Sequence, residues 1–241
     1  MLKKSTPYCF VYRESGRFPL NIHIQSRMIK SWLKLSIDNQ GKVSSCMLKT
    51  LKECFDFNIF KSEWLLNIKN TLDNCGLSFV WLYPTSVTTE WLCKKVNTLL
   101  KDNFIQYWSQ KCEDCNKSCH YSLFKPTFGL EKYLVNLPFC YRVALTKIRT
   151  ANHKLPIEKG RYRNIPREER KCTLCNLDKV GDEFHFILEC PILNELRLKY
   201  IPQFYFRRPN FYKYSQLLSI QSKNKLLNLG KFLKEGLTYF K

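Results

Sequence analysis

Hydrophobic residues recur at helical spacing along much of the chain and predict a succession of amphipathic helices. Residues 20–35 place apolar side chains three or four positions apart. A second periodic segment, 63–74, lies between Ser62, which suits an N-terminal cap, and Gly76, which suits a helix end. A longer helix follows, with an apolar stripe over 91–105. These stripes indicate core packing and a mainly α fold.

Serine and proline residues mark the starts of further predicted helices. Ser44 or Ser45 suits the cap of one helix. Pro138 suits the first turn of another, because the N–H that proline lacks would have no partner there. Pro191 opens a third, and two more helices are predicted within 213–240.

The composition changes at 109–120, where the chain becomes polar and rich in cysteine. This change indicates a boundary, so we predict three regions. A helical region covers 1–120, a basic arm with a Cys/His zinc module covers 121–204, and C-terminal helices cover 205–241. Within the second region, 152–170 loses helical periodicity and is interrupted by proline and glycine, which predicts a basic, extended and non-helical arm.

Charge sets the expected partner. The 241 residues include 40 Lys and Arg against 20 Asp and Glu, a net charge of +20, and 44% of them are hydrophobic. A chain with this balance can bury a core and attracts polyanions, so nucleic acid is the favoured partner and an anionic membrane surface the second. No apolar run approaches the roughly 18–20 residues needed to cross a bilayer. We also find no secretory signal, so we expect an intracellular protein of the nucleus or cytoplasm with reduced cysteines.

The strongest chemical motif is Cys172-x2-Cys175-x9-His185-x4-Cys190. A Cys-x2-Cys turn brings two thiolates to the spacing of a tetrahedral ion, and four protein ligands leave no open position for water. Soft thiolates favour Zn²⁺, so the motif predicts one structural zinc site. Asp182 is placed to cap the short helix that carries His185. The alternative is three buried thiols and a core histidine.

A second cluster comprises Cys112, Cys115, Cys119 and His120. It also offers four ligands, but they fall within nine residues, and the adjacent Cys119 and His120 would be strained in reaching one ion. We therefore expect free thiols in a polar loop and not a second zinc site.

Three features occur together within 138–201: the stretch RTANHKLPIEKGRY, the Cys-x2-Cys pair and the ending EFHFILECP. With them, this segment resembles the C-terminal zinc-binding region of non-LTR (LINE-type) retrotransposon reverse transcriptases. The segment GRFPLNIHIQSRMIKSWLKL is similar to the region between polymerase and zinc knuckle in such polyproteins, and 40–120 resembles it loosely.

The resemblance implies a function and also a limit to it. Cys172, Cys175, His185 and Cys190 match the CCHC ligand pattern of the family, which implies nucleic-acid binding through the zinc knuckle and its flanks. The catalytic aspartate pair of the family's polymerase is missing, since the chain has no adjacent Asp residues. The resemblance therefore implies a non-catalytic piece, either a truncated element copy or a host protein derived from one.

The residues themselves place the nucleic-acid surface in the same region. Between positions 142 and 171 there are ten Lys or Arg and three acidic residues. We expect contacts mainly to the phosphates of RNA or DNA, with little sequence readout and with one tyrosine available to stack on a base. The candidate residues are Arg149, Lys154, Lys159, Arg161, Tyr162, Arg163, Arg167, Arg170 and Lys171.

Other functions stay open at this stage. The chain could be a protein-interaction domain with a structural zinc, or a decayed element fragment without a selected function. An enzyme would have to use Cys140 or Cys119 as a nucleophile with His120 as the base. No triad signature or Gly-rich phosphate loop accompanies those residues, so we expect no catalysis by this chain.

Overall fold

The computed structural model describes residues 7–38, 42–115, 117 and 120–240, and these are mainly helical, as the sequence predicts. The α-helices are α1 (Tyr8–Ser15), α2 (Leu20–Ile37), α3 (Val43–Asp56), α4 (Glu63–Asn74), α5 (Phe79–Leu82), α6 (Thr89–Glu113), α7 (Tyr121–Phe124), α8 (Tyr133–Asn136), α9 (Phe139–Arg149), α10 (Pro156–Tyr162), α11 (Asn194–Tyr200), α12 (Gln203–Phe206), α13 (Phe211–Leu218) and α14 (Lys223–Gly236).

Shorter turns complete the described chain. They are 3₁₀ turns at Pro84–Ser86, Arg167–Glu169, Pro191–Leu193 and Leu237–Phe240, and a π turn at His185–Glu189. Two isolated β-bridges, Ser15 with Leu130 and Lys171 with Val180, are the strand-like pairings found in the described ranges. No helix in those ranges combines the length and apolarity that a membrane span requires.

The chain divides into two compact units. One comprises 18–109. The other, which we call the Cys/His unit, comprises 7–17 and 110–240 as far as they are described. This division differs from the predicted boundaries at 120 and 204. The C-terminal helices are not a separate region, because α14 packs against α9 and α11 and so shares their core.

The 18–109 unit is a helical core around two tryptophans. Trp32 and Trp81 stack with ring centroids 5.4 Å apart and planes 7° apart, and both are buried. The predicted cap of α4 is confirmed, since the Ser62 side chain accepts a hydrogen bond from the backbone N–H of Leu65. The predicted cap of α3 is wrong, because that helix already begins at Val43 and no side chain caps it.

The predicted extended arm over 152–170 is also wrong, because α10 forms within it. Pro156 occupies the first turn of α10, where a missing N–H costs nothing. The N–H of Ile157, which has no partner within the helix, donates to the carbonyl of Gly181 at 3.2 Å. Leu155 and Ile157 are buried, so tertiary packing stabilises a helix that the local periodicity did not indicate.

Candidate metal centre and nucleic-acid interface

The structure brings the four residues of the predicted metal motif together. The ligand atoms of Cys172, Cys175, His185 and Cys190 all lie within 4.8 Å of one another. The Sγ of Cys175 and the Nε2 of His185 are 3.3 Å apart. In a tetrahedral zinc site, bond lengths of about 2.3 Å to sulfur and 2.0 Å to nitrogen give S···N separations of roughly 3.6 Å. The four side chains could therefore hold one metal ion with small adjustments.

The first two ligands lie on a short hairpin. The N–H of Cys172 donates to the carbonyl of Lys179 at 2.9 Å, next to the bridge between Lys171 and Val180. Asp178 has a left-handed backbone with φ of 51° and allows the chain to reverse there. The hairpin thus holds the Cys-x2-Cys turn in place through backbone hydrogen bonds.

The other two ligands lie at the two ends of the π turn. Asp182 Oδ1 accepts from the N–H of His185 at 2.9 Å, which confirms the predicted capping role of Asp182. The N–H of Cys190 donates to the carbonyl of His185 at 2.8 Å, five residues back. π turns are concentrated at functional sites, and this one fixes the backbone that separates His185 from Cys190.

Glu189 orients the histidine ligand and was not singled out from the sequence. Its Oε2 lies 3.4 Å from Nδ1 of His185, while Nε2 of the same ring faces Cys175. A carboxylate at the second nitrogen is the usual companion of a metal-bound histidine, because it fixes the tautomer that leaves the other nitrogen free for the ion. The sequence signal that could have indicated this contact is the spacing of four residues between His185 and Glu189.

Arg197 supports the same turn from α11. Its Nε donates to the carbonyl of Ile187 at 2.8 Å and its Nη2 to that of Cys190 at 2.6 Å, and only 3% of the residue is exposed. The guanidinium thus places a positive charge next to a ligand cysteine. No local pattern in the sequence indicates this role, because it depends on how α11 folds back.

Electrostatics around the cluster favour neutral groups when no ion is bound. Burial, together with the neighbouring Cys172, raises the pKa of the Cys190 thiol to about 12. Burial also lowers the pKa of His185 and so favours the neutral imidazole that ligates metals. A bound cation would have to displace the proton of the Cys190 thiol.

Three basic residues lie close to the cluster in the sequence, and each has another partner. Lys179 pairs with Glu189 at 2.8 Å, and Lys171 donates to the carbonyl of Asp178 at 2.8 Å. Arg170 donates to two backbone carbonyls. Arg197, by contrast, contacts the backbone of the ligand turn, at the carbonyls of Ile187 and Cys190.

The residues of the second cysteine cluster have other neighbours. Cys112 forms a thiol–thiol hydrogen bond with Cys9 of α1, and this bond lowers the pKa of Cys9 to about 7. The ring of His120 packs against Phe211 with centroids 4.7 Å apart. Cys119 lies outside the described residues.

Five of the nine predicted nucleic-acid-binding residues line a single cavity of about 260 Å³, which we call the basic cavity. Its wall also contains the acidic residue Glu169 and, from the end of the chain, Tyr239 and Phe240. The five basic residues of its wall are Lys154, Lys159, Arg163, Arg170 and Lys171.

Arg149 does not lie on the surface where it was predicted. It is 0% exposed, and its Nη1 donates to the carbonyl of Leu218 at 2.6 Å. Ion pairs with Glu14 and Glu131 place its guanidinium in the core of the Cys/His unit. Arg149 therefore stabilises the fold and is not available to a nucleic acid.

The other three predicted residues lie outside the basic cavity. Arg161 pairs with Glu158 at 2.8 Å and lies over the ring of Tyr162, which is 52% exposed. Arg167 pairs with Asp182 at 3.2 Å. Both of these arginines thus already have an acidic partner within the protein.

Comparison with protein-family models, with curated proteins and with solved structures finds no match to this chain. The Cys/His cluster and the basic cavity are the features from which a function can be inferred.

Proposed function

We propose that this chain is a nucleic-acid-binding module in which a structural zinc ion positions a basic surface. Cys172, Cys175, His185 and Cys190 hold the ion, and RNA or DNA binds mainly through its phosphates. The resemblance to the C-terminal region of non-LTR retrotransposon reverse transcriptases supports this origin, and the missing aspartate pair supports a role without catalysis.

The donor set supports zinc as the ion. Three thiolates and one imidazole form the closed shell of structural zinc sites, and soft sulfur ligands disfavour magnesium and calcium. The Glu189 carboxylate at the second nitrogen of His185 is consistent with a metal-bound ring. By analogy with zinc-finger peptides, the ion contributes about 10–16 kcal/mol to folding.

The observation that carries the proposal is the connection between the cluster and the basic cavity. Lys171 and Thr173 lie in the cavity wall and flank the ligand Cys172. The carbonyl of Gly181, just beyond the same hairpin, accepts from the first turn of α10. An ion that fixes the hairpin therefore also fixes one wall of the cavity. It keeps the basic side chains of that wall in place although their like charges repel one another.

Metal analysis combined with a salt titration tests this function. We expect about one zinc ion per purified chain, and binding of a single-stranded 20-nucleotide RNA that weakens steeply between 50 and 200 mM salt. If about 6–10 phosphates are contacted, the loss is roughly 10³–10⁵-fold, because each contact releases counterions. The DNA strand of the same sequence, run in parallel, measures the preference between the two nucleic acids. An affinity that does not depend on salt would contradict the proposal.

A protein-interaction role is the second candidate, because α3 presents an apolar groove. Val43 is 75% exposed and Met47 67% exposed, and both line an open groove of about 920 Å³ together with Phe60. A chain that holds its zinc but binds neither RNA nor DNA in the titration above would favour this role.

A further inference from the structure

We propose that the basic cavity binds one nucleotide, with its phosphate on Lys154, Lys159 and Arg163 and its base against the ring of Tyr239. This inference rests on the proposed function and names the part of the strand that enters the cavity. Tyr239 lies 76 residues beyond Arg163 in the sequence, and only the folded unit brings both to one wall.

The charge of the cavity points to an anionic ligand. Of the described residues that line it, five are basic and one, Glu169, is acidic. Within the part of the chain that the structure describes, neither Lys154 nor Arg163 forms an ion pair, and both are exposed. The Arg163 guanidinium can bind phosphate with two parallel hydrogen bonds, so these two cations can pair with a ligand without breaking an internal contact.

Arg170 forms a fixed part of the wall. Its Nε donates to the carbonyl of Ile165 at 2.8 Å and its Nη1 to that of Ile157 at 3.2 Å. A Cβ atom at Gly160 would lie 2.5 Å from the Cγ of Arg170, so only glycine lets the stem of Arg170 lie this close to α10. The positive charge of Arg170 is therefore in place before a ligand arrives, which reduces the ordering cost of binding.

An aromatic surface at the same cavity points to a base. Tyr239 is 50% exposed, and its neighbour Phe240 is buried at 5% exposure and anchors this turn in the core. Aromatic rings bind the faces of unpaired bases with little dependence on sequence. The volume of about 260 Å³ is below the roughly 300–1,000 Å³ typical of pockets for drug-sized ligands, and this suits one nucleotide better than a dinucleotide cofactor.

Calorimetry with the full, zinc-loaded chain at 50 mM salt tests the assignment, using adenosine 5′-monophosphate (AMP), adenosine and inorganic phosphate as probes. We expect AMP to bind at least tenfold more tightly than either adenosine or phosphate, since only AMP fills both halves of the site. Arg163→Ala should weaken AMP and phosphate by tenfold or more. Tyr239→Ala should weaken AMP about fivefold or more and leave phosphate unchanged, whereas Tyr239→Phe should retain AMP binding.

A matched control is Arg208→Ala, which removes an exposed cation that does not line the cavity and should leave all three affinities unchanged. If AMP binds no more tightly than phosphate, or if Tyr239→Ala has no effect on AMP, the nucleotide assignment is wrong.

Competition between AMP and the RNA strand separates this inference from the proposed function. Displacement of the RNA by AMP supports both. RNA binding that depends on salt but is indifferent to saturating AMP overturns the cavity assignment and leaves the proposed function standing. AMP binding without any binding of RNA or DNA overturns the proposed function and identifies the cavity as a site for free nucleotides.

Discussion

The side chains of Arg149 and Glu14 meet in the interior of the Cys/His unit. The Nε of Arg149 lies 3.1 Å from Oε1 and 3.0 Å from Oε2 of Glu14, although 135 residues separate the two in sequence. Tyr121 also donates to Glu14, at 2.7 Å. This buried network joins α1 to α9 and explains why the first described helix belongs to the Cys/His unit.

Glu14→Gln should destabilise the Cys/His unit, because it leaves the buried guanidinium of Arg149 with a weaker set of partners. Removing one partner of a buried ion pair costs about 3–5 kcal/mol, and we expect the lower end because Glu131 stays 3.2 Å away. Hydrogen exchange of α9 and α14 at increasing urea measures the loss. The control Glu168→Gln changes an exposed carboxylate and should stay within about 0.5 kcal/mol of the wild type. Equal stability of the two variants would show that the buried pair contributes little.

Cys175→Ser should abolish stoichiometric zinc binding, because it leaves three ligands. The hairpin and the π turn should then unfold, since they lose the roughly 10–16 kcal/mol of folding free energy that the bound ion supplies. Metal content by mass spectrometry and exchange protection over 157–201 provide the measurements. Cys140→Ser is the matched control, since Cys140 is exposed on α9 and lies outside the cluster. A Cys175→Ser chain that keeps its metal and its protection would refute the ligand assignment.

Glu189→Gln should weaken zinc binding by about 10–100-fold while the unit stays folded, because an amide is a poorer acceptor for the Nδ1–H of His185. Competition with a chelator of known affinity measures the change. Lys179→Met serves as the control, because it removes the ion pair at the other oxygen of Glu189 and leaves the histidine contact intact. Similar effects of the two substitutions would show that the ion pair, and not the histidine contact, is what matters.

Gly160→Ala should destabilise the Cys/His unit by about 1–3 kcal/mol, because the new methyl group overlaps the stem of Arg170. The displaced arginine would lose its bonds to Ile165 and Ile157 and distort the basic cavity. Chemical denaturation followed by exchange in α10 measures the cost. Lys154→Ala, an exposed change two residues before the same helix, should have a stability effect within about 0.5 kcal/mol. If Gly160→Ala proves as stable as that control, the close packing of Arg170 is not required.

Arg163→Ala should lower the salt dependence of RNA binding more than Arg161→Ala does. Among the residues that the structure describes, Arg163 has no acidic partner, whereas Arg161 is held by Glu158, so only the first is expected to neutralise a phosphate directly. Loss of one phosphate contact on a single strand changes the slope of log K against log salt by about 0.7. Titrations at four salt concentrations resolve this difference. The opposite ranking of the two variants would place the strand on the Arg161 side of α10.

The sequence by itself determined the elements that depend on neighbouring residues. The spacing of apolar positions predicted α2, α4 and α6, because the helical repeat places every third or fourth residue on one face. The four ligands and the Asp182 cap were also predicted, since a Cys-x2-Cys turn and a capped helix are local structures. Pro191 was likewise predicted to open a helix, and it begins the 3₁₀ turn directly before α11.

Only the tertiary structure decided which charged residues are exposed and which are paired. Arg149 and Arg163 are fourteen residues apart in one basic segment, yet one is buried against Glu14 and the other lines the basic cavity. Tertiary structure also decided that α10 forms, because the carbonyl of Gly181 accepts a hydrogen bond from its first turn. It likewise placed Tyr239 in the wall of the basic cavity. Burial and pairing are set by contacts between residues far apart in sequence, because the free energy of a charge depends on the partners and solvent around it and not on its neighbours along the chain.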